Sequence, residues 1–139
     1  MVVKMSGSKS KVNVGREMRK RIHDLNQLWI AHQHGYDVVD DADTLSTYGS
    51  SLDYVAPGTF DDQREDYFRY QLSRGGPSDE FRFFVNLDLS CHRVEYWYLN
   101  CFEGALVKPS EGEQSFLIEI WQWFKETGAV ASAMEIVRH

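Results

Sequence analysis

Tyr67-Phe68-Arg69-Tyr70-Gln71-Leu72-Ser73, Phe81-Arg82-Phe83-Phe84-Val85 and His92-Arg93-Val94-Glu95-Tyr96-Trp97-Tyr98 decide the fold of this chain. All three runs are rich in aromatic and β-branched residues, and all three alternate. Successive side chains of a strand point to opposite faces. Phe68, Tyr70 and Leu72 therefore share one face, and Tyr67, Arg69 and Gln71 the other. In the second run Phe81, Phe83, Val85 and Leu87 oppose Arg82 and Phe84, and in the third Val94, Tyr96 and Tyr98 oppose Arg93, Glu95 and Trp97. One apolar and one mixed face from each run is the pattern of an antiparallel sheet covered on one side. Ser73–Asp79 and Asn86–Ser90, rich in Gly, Pro, Asn and Asp, suit the hairpin connections between them.

Amphipathic helices flank the sheet. Met18, Ile22, Leu25 and Trp29 recur at helical spacing and predict a helix over about Arg16–His32, stopped at Gly35. Phe116, Leu117, Ile120, Trp121 and Phe124 form the apolar stripe of a second helix over Glu111–Thr127. Ser110 and Glu113 have the spacing of a capping box, and Gly128 fits the stop. Ala129–Val137 suits a short further helix. Residues 36–60 read as a long connection with a short strand near Leu52–Val55, and Thr59 or Asp61 suits the cap of a helical turn through Asp66. The expectation is a disordered basic lead over residues 1–14 and a single α+β domain over 15–139. That domain has an N-terminal helix, an antiparallel sheet of three to four strands, and a C-terminal amphipathic helix on one sheet face. Its core is expected to contain Trp29, Phe68, Tyr70, Phe83, Val85, Val94, Tyr96, Phe116, Ile120, Trp121 and Phe124.

The 139 residues are enough for one real core, and no apolar run reaches the roughly 20 residues that span a membrane. Without the apolar core of a signal peptide, the chain reads as soluble and cytoplasmic. Cys91 and Cys101 bracket the third run; reduced thiols fit that compartment better than a disulfide, and the spacing matches no zinc signature. Charge is uneven: residues 1–21 hold seven Lys and Arg against Glu17 alone, a net +6, so the remaining residues carry −12 of the total −6. An acidic body reads either as ordinary solvation or as a surface steering towards a basic partner.

Few residue groups suggest chemistry. Arg69, Arg82, Arg93, Glu95 and Trp97 gather on the mixed sheet face, either as exposed cross-strand ion pairs or as a recognition surface. Asp37, Asp40, Asp41 and Asp43 form an acidic segment. Leu45 and Ser46 stand where a calcium loop needs a ligand and glycine, so a solvated loop and a patch imitating phosphates are the two readings. His32 and His34 are two apart, which on a helix points them to different sides, and no second pair completes a metal site. Arg74-Gly75-Gly76-Pro77-Ser78 lacks Walker spacing and reads as a hairpin. No nucleophile elbow, HExxH or kinase signature occurs, the acidic body and missing RNP1 pattern disfavour direct nucleic-acid contact, and no cofactor is implied.

Tyr70-Gln71-Leu72-Ser73, Gly75-Gly76-Pro77-Ser78-Asp79-Glu80-Phe81-Arg82-Phe83 and Arg93-Val94-Glu95-Tyr96-Trp97 resemble a segment of short uncharacterised proteins carried by phages, plasmids and related mobile elements. The similar part covers roughly residues 66–127. Arg74 stands where such relatives have an aromatic residue, and Asn100-Cys101 near their Asp-Trp. The resemblance implies a genomic setting and no catalytic residues. With the acidic body, the expected function is a small non-enzymatic binding protein with a protein partner. Its concrete version is an inhibitor of a host nucleic-acid-processing defence complex, of anti-restriction or anti-CRISPR kind. The alternatives are an immunity protein to a toxin, an assembly subunit, or a small-molecule-binding or enzymatic domain with a pocket lined by Tyr48, Tyr54, His92, Glu95 and Tyr96.

Overall fold

A computed structural model describes residues 2–4, 13–35, 43–73, 77–100 and 103–138. The chain runs β1 (Val2–Lys4), α1 (Val14–Gln33), β2 (Ser51–Val55), β3 (Tyr67–Ser73), β4 (Ser78–Val85), β5 (Cys91–Asn100), β6 (Glu103–Val107), α2 (Glu111–Thr127) and α3 (Ala129–Arg138). The strands form one antiparallel sheet in the order β1-β6-β5-β4-β3-β2. From β2 to β6 it is a meander, each strand pairing with the next in sequence. The fold is α+β as expected, with six strands among the described residues rather than three or four.

The alternation holds. Phe68, Tyr70, Leu72, Phe81, Phe83, Val85, Val94 and Tyr96 are buried in one core with Val14, Met18 and Leu25 of α1 and Leu117, Ile120, Trp121 and Phe124 of α2. Trp29 and Phe116 pack at its margin rather than inside it. Leu87 does not continue the apolar face of β4: the strand ends at Val85, and Leu87 is fully exposed in the following turn. Shifts of register at Gln71/Ser73 and Phe84/Val85 interrupt the ladders. Such bulges increase local twist and bend the sheet.

α2 begins and ends where the sequence predicts. Ser110 accepts from the Glu113 N–H while Glu113 accepts from the Ser110 N–H, and Gly128 closes the helix at φ +88°. Gln114 projects from the first turns onto β5. β6 stops at Val107, opposite Tyr96, so Val94 has no β6 residue beside it. The Gln114 carboxamide takes that place, accepting from the Val94 N–H at 2.8 Å and donating to its C=O at 2.7 Å. A side chain thus extends the ladder and satisfies two backbone groups that would otherwise be stranded under a helix.

α1 is held to the sheet by a polar cluster. Asp79 of β4, 3% exposed, accepts from Arg21 Nε at 2.7 Å, Arg21 Nη2 at 3.0 Å, the Tyr96 hydroxyl at 2.6 Å and the Ser73 hydroxyl. Arg21 also donates to the Tyr48 hydroxyl at 3.1 Å, which donates to Asp24 at 2.7 Å. Burial, with Asp24 acting against Arg21, pushes the Tyr48 hydroxyl up to about 12. Burial and its hydrogen bond to Asp66 push Tyr54 to about 12 as well. Both raised values favour the neutral phenol in the fold. Their contribution is complete below the unfolded value, near 10, and is lost as pH rises from there through 12. The urea midpoint should accordingly fall between pH 9 and pH 11, and Tyr48→Phe with Tyr54→Phe should flatten that fall.

Several expectations are corrected. Residues 2–4 are an edge strand on β6, not part of an irregular lead; Val2 and Val3 supply its β propensity. α1 starts earlier than expected, at Val14, because Asn13 rather than a later residue caps it, accepting from the Arg16 N–H at 3.0 Å. No helical turn follows Thr59: its hydroxyl bonds back to the Ala56 C=O, and Gln63 bridges Phe60, Ala56 and Glu65 into a compact loop. Cys91 is a free thiol, pushed up to about 11 by burial, while Cys101 lies outside the described residues.

Candidate functional site

The helices cover one face of the sheet and leave the other open. On the open face the register builds three rows. Tyr67, Phe84 and Arg93 stand side by side across β3, β4 and β5, and Arg69, Arg82 and Glu95 form the next row, with Asp53 of β2 beside Arg69. Glu80 and Trp97 stand opposite each other in a third. The loop 60–65 rises along one side. Together they enclose a basin of about 650 Å³.

Its guanidinium groups are fixed by aromatic rings and carboxylates. Arg82 lies 4.0 Å over the Trp97 ring and 4.8 Å from the Tyr67 ring centre, and donates to Glu80 at 2.7 Å. Arg93 lies 3.9 Å over Phe84 and reaches Glu65 at 2.9 Å and Glu95 at 3.2 Å. Trp97 Nε1 donates to Glu95 at 3.1 Å. Glu80 and Glu95 are 2% and 8% exposed. A carboxylate this buried is tolerated only when paired, and each is. Cation–π contacts of this kind are worth about 0.5–2 kcal/mol each, more when water is excluded.

Three buried polar atoms make no hydrogen bond among the described residues: the Tyr67 hydroxyl, Arg69 Nε and Arg93 Nε, the last of which keeps its ion-pair contact with Glu95. Tyr67 is 2% exposed, and its hydroxyl is pushed above its ordinary value by burial, against the pull of Arg82. An unpaired buried hydroxyl costs about 1–3 kcal/mol. Tyr67→Phe should therefore leave stability in urea unchanged or raise it by about 1 kcal/mol, rather than lower it as truncating a satisfied core tyrosine would.

The structure brings Arg69, Arg82, Arg93, Glu95 and Trp97 together in this basin. Asp37, Asp40 and Asp41 lie outside the described residues. Asp43 is exposed, accepts from Thr47 and does not line the basin. Among the described residues Tyr48, Tyr54, His92, Glu95 and Tyr96 do not gather around one pocket. Tyr48 and Tyr96 belong to the Asp79 cluster, Tyr54 binds Asp66, His92 is exposed, and Glu95 is on the opposite face. A smaller cavity of about 310 Å³ between Ser50 and Trp123 includes none of them. His32 packs against Trp29 and Trp123, and no group of three metal-ligating side chains occurs among the described residues. On α3, Val130 is buried and Met134 packs partly buried against the core.

Sequence reasoning missed Glu80, Tyr67 and Glu65. The alternation that selects Arg82 also selects Glu80, two residues earlier on the same face. Glu65 had no such signal, because its place depends on a loop closed by Gln63.

Compared with protein-family models, curated proteins and solved structures, the chain gives no match. No helix among the described residues is long and apolar enough to cross a membrane.

Proposed function

We propose that this is a binding protein that docks a partner protein on its open sheet face. The observation that carries the reading is the arginine–aromatic basin. Arg, Trp and Tyr are the residue types that dominate binding hot spots. Here Arg82 is clamped between Trp97 and Tyr67, so little rotamer freedom remains to be lost on association. Phe60, 52% exposed on the rim, offers apolar area beside it. Glu65, Glu80 and Glu95 are each engaged by an arginine, which suits a fixed recognition surface better than acid–base work.

Net charge and local chemistry have separate parts in this reading. The −12 carried beyond residue 21 favours encounter with a basic partner, and inhibition of a nucleic-acid-processing defence complex is the version of the function that uses it. Affinity comes from the basin. Capture from host lysate, read by mass spectrometry, should give one complex with the wild-type chain and lose it with Trp97→Ala and with the rim change Phe60→Ala. Each should lower affinity at least tenfold, about 1.4 kcal/mol. Asp40→Asn with Asp41→Asn and Asp43→Asn should instead slow association and flatten its salt dependence. Identical capture by wild type and both basin variants would overturn the docking face.

A further inference from the structure

We propose that the corner of the basin formed by Tyr67 and Arg69 is a carboxylate-binding site. The inference rests on the open face being the binding surface and names what it takes.

Of the three arginines that the strands place in the basin, Arg69 is the least satisfied. Arg82 is held by Glu80, Trp97 and Tyr67, and Arg93 by Glu65, Glu95 and Phe84. Among the described residues Arg69 has only Asp53, at 3.6 Å through one terminal nitrogen, and its Nε makes no hydrogen bond. It also stands directly across the ladder from Arg82, a like-charge pair that an anion between them would relieve. A guanidinium has donors and no acceptor, so its unmade bond calls for an acceptor that the described residues do not supply. Tyr67, two residues away on the same face of β3, also lines the basin, and its buried hydroxyl is a second polar group with no hydrogen bond among the described residues.

The walls select among anions. Asp61, Asp62, Glu65, Glu80 and Glu95 also line the basin, opposed by Arg64, Arg69, Arg82 and Arg93. Local charge is thus nearly balanced, which works against a dianion such as phosphate. A carboxylate carries one charge on two coplanar oxygens and matches the arginine fork and an adjacent hydroxyl. Trp97, Phe84 and Leu99 provide apolar wall for the carbon part of the ligand. A small organic acid and an acidic side chain of the partner present the same group.

The test follows the Arg69 Nε–H and Trp97 indole N–H resonances of the full chain during titration with three probes: benzoate, a peptide blocked at both ends with a single glutamate, and inorganic phosphate. Benzoate or the peptide should give saturable shifts at millimolar concentration. Tyr67→Phe should weaken binding about fivefold or more. Arg69→Lys, which keeps the charge and loses the fork, should weaken it as much, detected at the Trp97 indole. Response to benzoate alone assigns a small organic acid; response to the peptide assigns an acidic side chain; either supports the site. No saturable shift with either carboxylate, tighter binding of phosphate, or equal affinities in both variants would overturn it. If that happens while Trp97→Ala still abolishes capture, the carboxylate assignment alone falls. If Trp97→Ala leaves capture intact, the docking face falls.

Discussion

Asp79→Ala should destabilise the protein by about 3–5 kcal/mol, the cost of leaving one member of a buried ion pair uncompensated. Asp79 accepts from Arg21 through two nitrogens, from Tyr96 and from Ser73, so a single truncation strands three groups. Burial and Asp79 together hold the Tyr96 hydroxyl far above its ordinary value, and without the carboxylate that hydroxyl becomes an unpaired polar group in the core. The loss is concentrated on α1, which reaches β4 through Arg21. Asp79→Asn keeps an acceptor oxygen and should cost less. Urea unfolding of both variants measures the difference. A loss below about 1 kcal/mol for Asp79→Ala, the usual worth of an exposed pair, would mean that α1 docks by apolar contact alone.

Trp121→Ala should cost about 3–5 kcal/mol through lost packing and the cavity left behind. Trp121 is fully buried under α2, with its ring centre 5.0 Å from that of Phe68 and 5.3 Å from that of Phe83. Its Nε1 also donates to the Leu89 C=O at 2.9 Å. Leu89 sits in the β4–β5 turn at φ +67°, a conformation that a branched residue adopts only under constraint. The indole therefore fills the core and pins a strained turn. Trp121→Phe separates the two: it keeps most of the packing and should lose about 1–2 kcal/mol with the hydrogen bond. Because Trp121 faces the helices, whatever folded protein remains should retain basin binding.

The central strands and both long helices were legible because their patterns are local. Alternation fixed the faces of β3, β4 and β5 wherever the strand was long enough to repeat. β6 was not read: Glu103–Val107 has only five residues, with Gly104 and Ala105 diluting its signal, and it is identified by its pairing with β5. β1, three residues long, depends wholly on β6 being there first. The site was half legible for the same reason. Arg69, Arg82, Arg93, Glu95 and Trp97 follow from strand period and register. The arch of residues 60–65 follows from the Gln63 side chain bonding to three backbone groups, which no periodicity encodes.

Asp79 and Glu80 are consecutive carboxylates, almost equally buried, on the same strand. One ties a helix to the underside of the sheet, and the other orients a guanidinium on its upper side. The pleat between them divides the molecule into two inventories of side chains that share a backbone and little else. Sequence drift can rewrite the upper inventory to suit a new partner while the lower one keeps the chain folded. The same division makes insertion of a single residue within β4 more damaging than most substitutions, since it would exchange the two inventories and turn a fastening into an exposed charge.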